Sequence, residues 1–166
     1  NRNYRDYVSV YMRNSGTRDN RRTLFRDAFQ HSLVINQMDI DCQAYQPVNT
    51  YLNGEYWGIY NFREKQDVDY LAARHGADPT NLDMIEFNFS YEPIVLEGDA
   101  VEFEDFFTFM TSKDMSVEEN YEIAKNRIDI ESFINYSITQ IFCNNVNWPD
   151  ANIKWWRERT ENGKWR

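Results

Sequence analysis

The dipeptide Asn53-Gly54 constrains this chain most, because it separates two strand-like runs, 46–52 and 56–62, rich in aromatic and β-branched residues. A two-residue turn that matches strand twist needs positive φ at both central positions, which Asn and Gly tolerate best, so the segment predicts a β-hairpin. The aromatic side chains Tyr51, Tyr56, Trp57, Tyr60 and Phe62 are expected to pack across the pair and onto the helix before it. That helix is read over 24–36, with Thr23 as N-cap and Leu24, Ala28, His31 and Ile35 along one side. Upstream, residues 7–12 alternate as a strand does and lead into Arg13-Asn14-Ser15-Gly16 and a loop through Arg22.

Beyond the hairpin, Arg63-Glu64-Lys65-Gln66 forms a link, and Asp67 caps a helix that runs through Arg74 and stops at Gly76. A turn at 78–80 and a short strand over 82–89 follow, then a loop over 91–98. From Asp99 a helical run places Val101, Phe106, Phe109 and Met110 inward, and Ser116-Val117-Glu118-Glu119 reads as a capping box for a helix ending near 126. Asp129 caps a longer helix, to about 143, with Phe133, Ile134, Ile138, Ile141 and Phe142 at helical spacing.

Pro149 ends that helical region, and Asn147 to Asn152 is expected to be a rigid polar loop. Residues 153–159 and the return through Glu161-Asn162-Gly163-Lys164 to Trp165 read as a second hairpin.

Composition narrows the function. With 166 residues, 42% hydrophobic and 16% aromatic, the chain can bury a core as one domain or a piece of a larger one. Its 27 acids against 18 bases, a net charge of -9, argue against non-specific nucleic-acid binding, although Arg18, Arg21, Arg22 and Arg26 form a local basic stretch. Cys42 and Cys143 lie far apart and, with only His31 and His75, make no zinc set, so they are read as buried thiols. Neither histidine has a nucleophile partner that spacing identifies, and no Walker-type loop occurs. Glu102, Glu104 and Asp105 read as a solvated helix face, and Trp148, Trp155, Trp156 and Trp165 as packing residues rather than a carbohydrate platform. No run approaches the roughly 20 apolar residues of a membrane span.

Five motifs in order carry a family resemblance: Arg13-Asn14-Ser15-Gly16, Phe25-Arg26-Asp27-Ala28, Asn53-Gly54-Glu55-Tyr56-Trp57-Gly58-Ile59-Tyr60, Arg63-Glu64-Lys65, and the stretch from Asn147 to Trp156. In these the chain resembles the spore coat protein H (CotH) kinase-like family, of the type found in surface and secreted proteins of Bacteroides. The resemblance implies an α+β, atypical protein-kinase-like fold. Residues 1–66 would be a partial small lobe of strand, helix and β-hairpin, and 67–166 a mostly helical larger lobe. It also implies ATP and Mg as cofactors, a protein substrate phosphorylated on Ser or Thr, and an extracellular or cell-surface location.

Kinase catalytic loops place an Asp that accepts the substrate proton five residues before an Asn that holds a metal. Asn147 and Asn152 have that spacing, so the resemblance gives Asn152 the metal role and Asn147 the base position, with Asn where the family carries Asp. An amide has no basic oxygen, so Asn147 cannot act as the base, and Asp150 is the carboxylate within the loop that could substitute. Arg13 and Glu64 take the cofactor-binding positions, with an Arg13 to Asp27 ion pair echoing the kinase Lys to Glu pair. The metal-chelating acid expected after the following strand has no counterpart before Arg166, so the chain is expected to be a fragment that is inactive alone. The alternative is a catalytically impaired pseudokinase or a surface protein-binding module.

Overall fold

The computed structural model describes residues 9–19, 21–88, 92–149 and 151–166. Asp150, residues 7 and 8 of the expected first strand, and the segment 89–91 lie outside the described residues. The fold is α+β, in two compact units, Asn1–Gly76 and Ala77–Arg166.

The first unit contains β1 (Val10–Arg13), one turn of helix α1 (Gly16–Asp19), α2 (Arg26–Val34), β2 (Tyr45–Leu52), β3 (Glu55–Glu64) and α3 (Val68–His75). Its antiparallel sheet has the order β1-β3-β2. Asn53 (φ 52) and Gly54 (φ 88) both adopt the left-handed conformation that the Asn-Gly turn demands, and Leu52 faces Glu55 across it. Tyr51 and Tyr56 pack edge to face at 5.6 Å, yet Tyr56 is 58% and Trp57 59% exposed. The hairpin tip therefore does not lie against the preceding helix, contrary to expectation.

The start of α2 also differs. Thr23 turns its hydroxyl to Asp19, Leu24 takes φ 64, and Phe25 stands at the N-cap without a side-chain bond. Asp19 instead accepts the Arg26 N–H at 2.9 Å, so a carboxylate from the preceding turn satisfies a helix-start donor that an N-cap oxygen would otherwise take. Helix α3 follows its sequence signals: the Asp67 side chain accepts from the Tyr70 N–H, and Gly76 (φ 70) closes the C-terminus onto the Ala72 carbonyl.

The second unit contains β4 (Leu82–Phe87), β5 (Pro93–Glu97), α4 (Val101–Ser112), α5 (Glu118–Arg127), α6 (Ile130–Phe142) and β6 (Ile153–Glu158), with sheet order β5-β4-β6. Strand β5 occupies the stretch expected to be a loop, paired to β4 through an irregularity at Met84/Ile85. Its core gathers Ile85, Ala100, Phe103, Phe106, Ala124, Ile128 and Trp165. Trp165 is fully buried, edge-on to Phe103 at 5.1 Å.

Phe106 faces the core as expected, but Val101 and Met110, also expected inward, are 71% and 37% exposed, because α4 turns Phe103 to the core beside Phe106. The capping box at 116–119 does not form: Val117 is the N-cap of α5, while the Ser116 N–H and hydroxyl both bond Asp114, the competition Ser offers a local carboxylate. Asp129 does cap α6, accepting the Ser132 N–H at 3.1 Å. The second hairpin is reduced to Trp156 and Arg166 exchanging two backbone hydrogen bonds, at 3.1 and 2.9 Å. Its turn closes from the Gly163 N–H to the Thr160 carbonyl, and neither Asn162 nor Gly163 has positive φ. Cys42 is a buried free thiol, whereas Cys143 is half-buried. Among the described residues no helix is long and apolar enough to cross a membrane.

Candidate functional site

Two constellations carry the chemistry, one in each unit. In the second unit, α6 delivers the loop. Asn144 (φ 49) turns the chain out of the helix, and Asn145 holds the turn with both backbone and side chain. Its N–H donates to the Gln140 carbonyl at 3.0 Å and its amide nitrogen to Gln140 Oε1 at 2.6 Å, while its Oδ1 accepts the Asn147 N–H at 3.1 Å. The Asn147 carbonyl then accepts the Ala151 N–H at 3.0 Å, which closes the loop just before β6. Ala151 is buried, and Asn152 follows in the left-handed region at φ 59. Asn147 and Asn152 are thus exposed side chains at the two ends of a backbone-bonded turn. Asp150, between them, lies outside the described residues.

In the first unit, strand register puts Arg13 beside Asn61, and Tyr11 and Tyr45 beside Arg63, on one face of the sheet. Asp27, in the first turn of α2, uses one oxygen for two guanidiniums: Arg63 Nη1 donates to its Oδ2 at 2.8 Å and Arg13 Nη1 at 3.2 Å. The two arms differ sharply in solvent access, since the Arg63 side chain is 1% exposed and that of Arg13 52%. His31 sits behind Arg63, its Nδ1 accepting the Gln43 N–H at 3.0 Å and lying 3.4 Å from Arg63 Nη2. Burial first, and the Arg63 charge second, push the imidazole down to about 4, so it is neutral near pH 7. Burial also pulls Arg63 below its ordinary value, opposed by Asp27.

Glu64 points elsewhere. It is 4% exposed, and its Oε2 accepts from the Ala44 N–H at 2.6 Å and from Arg74 Nη2 at 2.7 Å, tying β3 to α3 and to the entry of β2. The expected Arg13 to Asp27 pair is present, but sequence reasoning missed Arg63 as the buried partner. Its signal was a strand whose inward positions, Asn61 and Arg63, are polar while Tyr60 and Phe62 alternate with them.

A family model described as CotH kinase protein matches residues 12–166. The chain belongs to the CotH kinase protein family. No curated protein and no solved structure matches it.

Membership of a kinase-like family points to use of ATP and Mg, and the two constellations of this CotH chain bear differently on them. At Arg13, Asp27 and Arg63 one carboxylate faces two guanidiniums, and Arg63 Nε is buried without a hydrogen-bond partner. That surplus of positive charge fits a phosphate group. Mg prefers oxygen ligands and usually reaches proteins through one or two carboxylates plus substrate phosphates. Among the described residues no group of three or more His, Cys, Asp and Glu side chains could hold a metal ion. Asn152, exposed at φ 59, offers an amide oxygen of the kind Mg takes.

Proposed function

We propose that this CotH-family protein is an atypical kinase domain for ATP-dependent phosphorylation of Ser or Thr on protein partners at the cell surface, with its transfer step slowed by Asn147. In this reading residues 1–66 correspond to a small lobe and 67–166 to a larger one. Arg13 would meet phosphates and Asn152 would hold Mg, while bound Mg-ATP supplies the phosphoryl group. The Asn147 amide can orient a substrate hydroxyl by hydrogen bonding but cannot take its proton. Positioning and electrostatics remain, and they carry most of phosphoryl transfer.

The observation that carries the reading is the pair Asn147 and Asn152, exposed at the two ends of one closed turn. The test is transfer of labelled phosphate from Mg-ATP to a mixed protein acceptor by the full-length protein and by its Asn147→Asp variant. Transfer should rise about 10²–10⁴-fold in the variant, the usual worth of a positioned general base. Absence of transfer from both would overturn the kinase reading.

A second reading, a pseudokinase or protein-binding module, draws on α6. Its apolar residues Phe133, Ile134, Ile138, Ile141 and Phe142 are exposed by 43% to 78%, an uncommon amount of apolar surface for one helix.

A further inference from the structure

We propose that Arg13 is the exchangeable arm of an oxyanion site on the first unit, and that Arg63 is a positioning residue that keeps Asp27 in place when Arg13 turns to a phosphate group. The inference deepens the kinase reading, on which it rests only in taking a nucleotide as one source of the phosphate.

Geometry separates the two arms. The contact between Arg63 and Asp27 is the shorter, at 2.8 Å, with the guanidinium 1% exposed, whereas Arg13 reaches the same oxygen at 3.2 Å from a side chain 52% exposed. Breaking a buried pair by removing one partner is costly, while an exposed pair contributes little. Asp27 therefore stays with Arg63, and Arg13 is the arm that exchanges. Among the described residues Asp27 is the sole hydrogen-bond partner of Arg13, whose guanidinium carries five donors. Arg13 Nη2 lies 3.3 Å from where a Cβ on Gly16 would stand, so the glycine (φ 77) leaves room beside the guanidinium.

Local charge points the same way. Residues 9–31 hold five arginines and two aspartates in a chain of net charge -9. Asp19 is engaged by Arg26 and Thr23, and Arg21 and Arg22 are exposed on the adjoining turn. The sequence around Arg13 is a basic stretch, which favours a multiply charged anion over a neutral ligand. A guanidinium fork suits phosphate oxygens through paired charge-assisted hydrogen bonds.

The test titrates tripolyphosphate, orthophosphate and metal-free ATP into the protein and four variants, with melting curves measured alongside. Tripolyphosphate should bind, and Arg13→Gln should weaken it about tenfold or more, the worth of a lost charge-assisted hydrogen bond, without lowering the melting point. Arg13→Lys should restore part of the loss by returning the charge. Arg63→Gln should weaken binding about fivefold, because Asp27 then holds Arg13. Adding Asp27→Asn to Arg63→Gln should restore affinity, which a merely structural role for Arg63 does not predict. Tighter binding of ATP than of tripolyphosphate assigns a nucleotide as the source, and equal binding assigns a free polyphosphate; both support the site.

Absence of tripolyphosphate binding, binding unchanged in Arg13→Gln, or no restoration in the double variant overturns the proposal. Tripolyphosphate binding without phosphate transfer by the full-length protein would sink the kinase reading alone, and transfer indifferent to Arg13→Gln would sink this inference alone.

Discussion

Asp83 is the strongest single test of how burial sets the value of an ion pair in the second unit. Its carboxylate is 1% exposed and accepts from Arg157 Nε at 3.0 Å, from Arg159 Nε at 2.6 Å and from the Asp99 N–H at 3.0 Å. Asp105 offers a control of the same chemistry, paired with Arg127 Nη2 at 2.8 Å but 74% exposed. Asp83→Ala leaves the Arg157 guanidinium, on a side chain only 16% exposed, with a longer contact of 3.7 Å to Glu102 in place of the 3.0 Å pair. Removing one partner of a buried pair destabilises by about 3–5 kcal/mol, whereas an exposed pair is worth about 0–1 kcal/mol. In a unit under 100 residues each kcal/mol moves the melting point by about 4–8 °C, so Asp83→Ala should melt more than about 10 °C lower and Asp105→Ala within a few degrees of the parent. Thermal melts followed by circular dichroism measure both. Similar shifts for the two variants would refute the claim that burial decides the difference.

Two other perturbations follow from named contacts. His31 is held at about 4 in the fold against an ordinary value of 6.5, so its neutral form is favoured in the native state; its contribution is complete above about pH 6.5 and is lost as pH falls toward 4. His31→Gln, which keeps an acceptor for Gln43, should flatten stability across that window in urea titrations at stepped pH, and an unchanged slope contradicts the assignment. Gly98 (φ 66) lies where a Cβ would collide with the Asp83 carboxylate and the Leu82 carbonyl, so Gly98→Ala should destabilise by more than about 1 kcal/mol in urea. A neutral substitution there would mean that β5 and the segment after it are not packed as described.

Legibility followed the range of the interaction. Asn53-Gly54, Asp67 with Gly76, and Asp129 work through bonds to residues a few positions away, and each forms as its sequence predicts. Strand β5 escaped because Ile94-Val95-Leu96 is a short apolar run without alternation, which periodicity alone cannot classify. The apolar positions of α6 predicted a face correctly but not what would cover it, since periodicity says nothing about a partner surface. At the candidate site, the loop between Asn147 and Asn152 was visible from Pro149 and its turn-forming Asn residues, while the roles of the two Asn came from the family resemblance. The Arg63 cluster was not visible, because its partners Asp27 and His31 lie 36 and 32 residues away in the chain, on helix α2.

The most direct test of nucleotide use by this CotH chain is isothermal titration of Mg-ATP into the unmodified protein. The expected result is a saturable heat of binding that weakens in Arg13→Gln and Asn152→Ala and persists in Asn147→Asp. No heat up to millimolar Mg-ATP, with the protein shown to be folded by its melting curve, would contradict it.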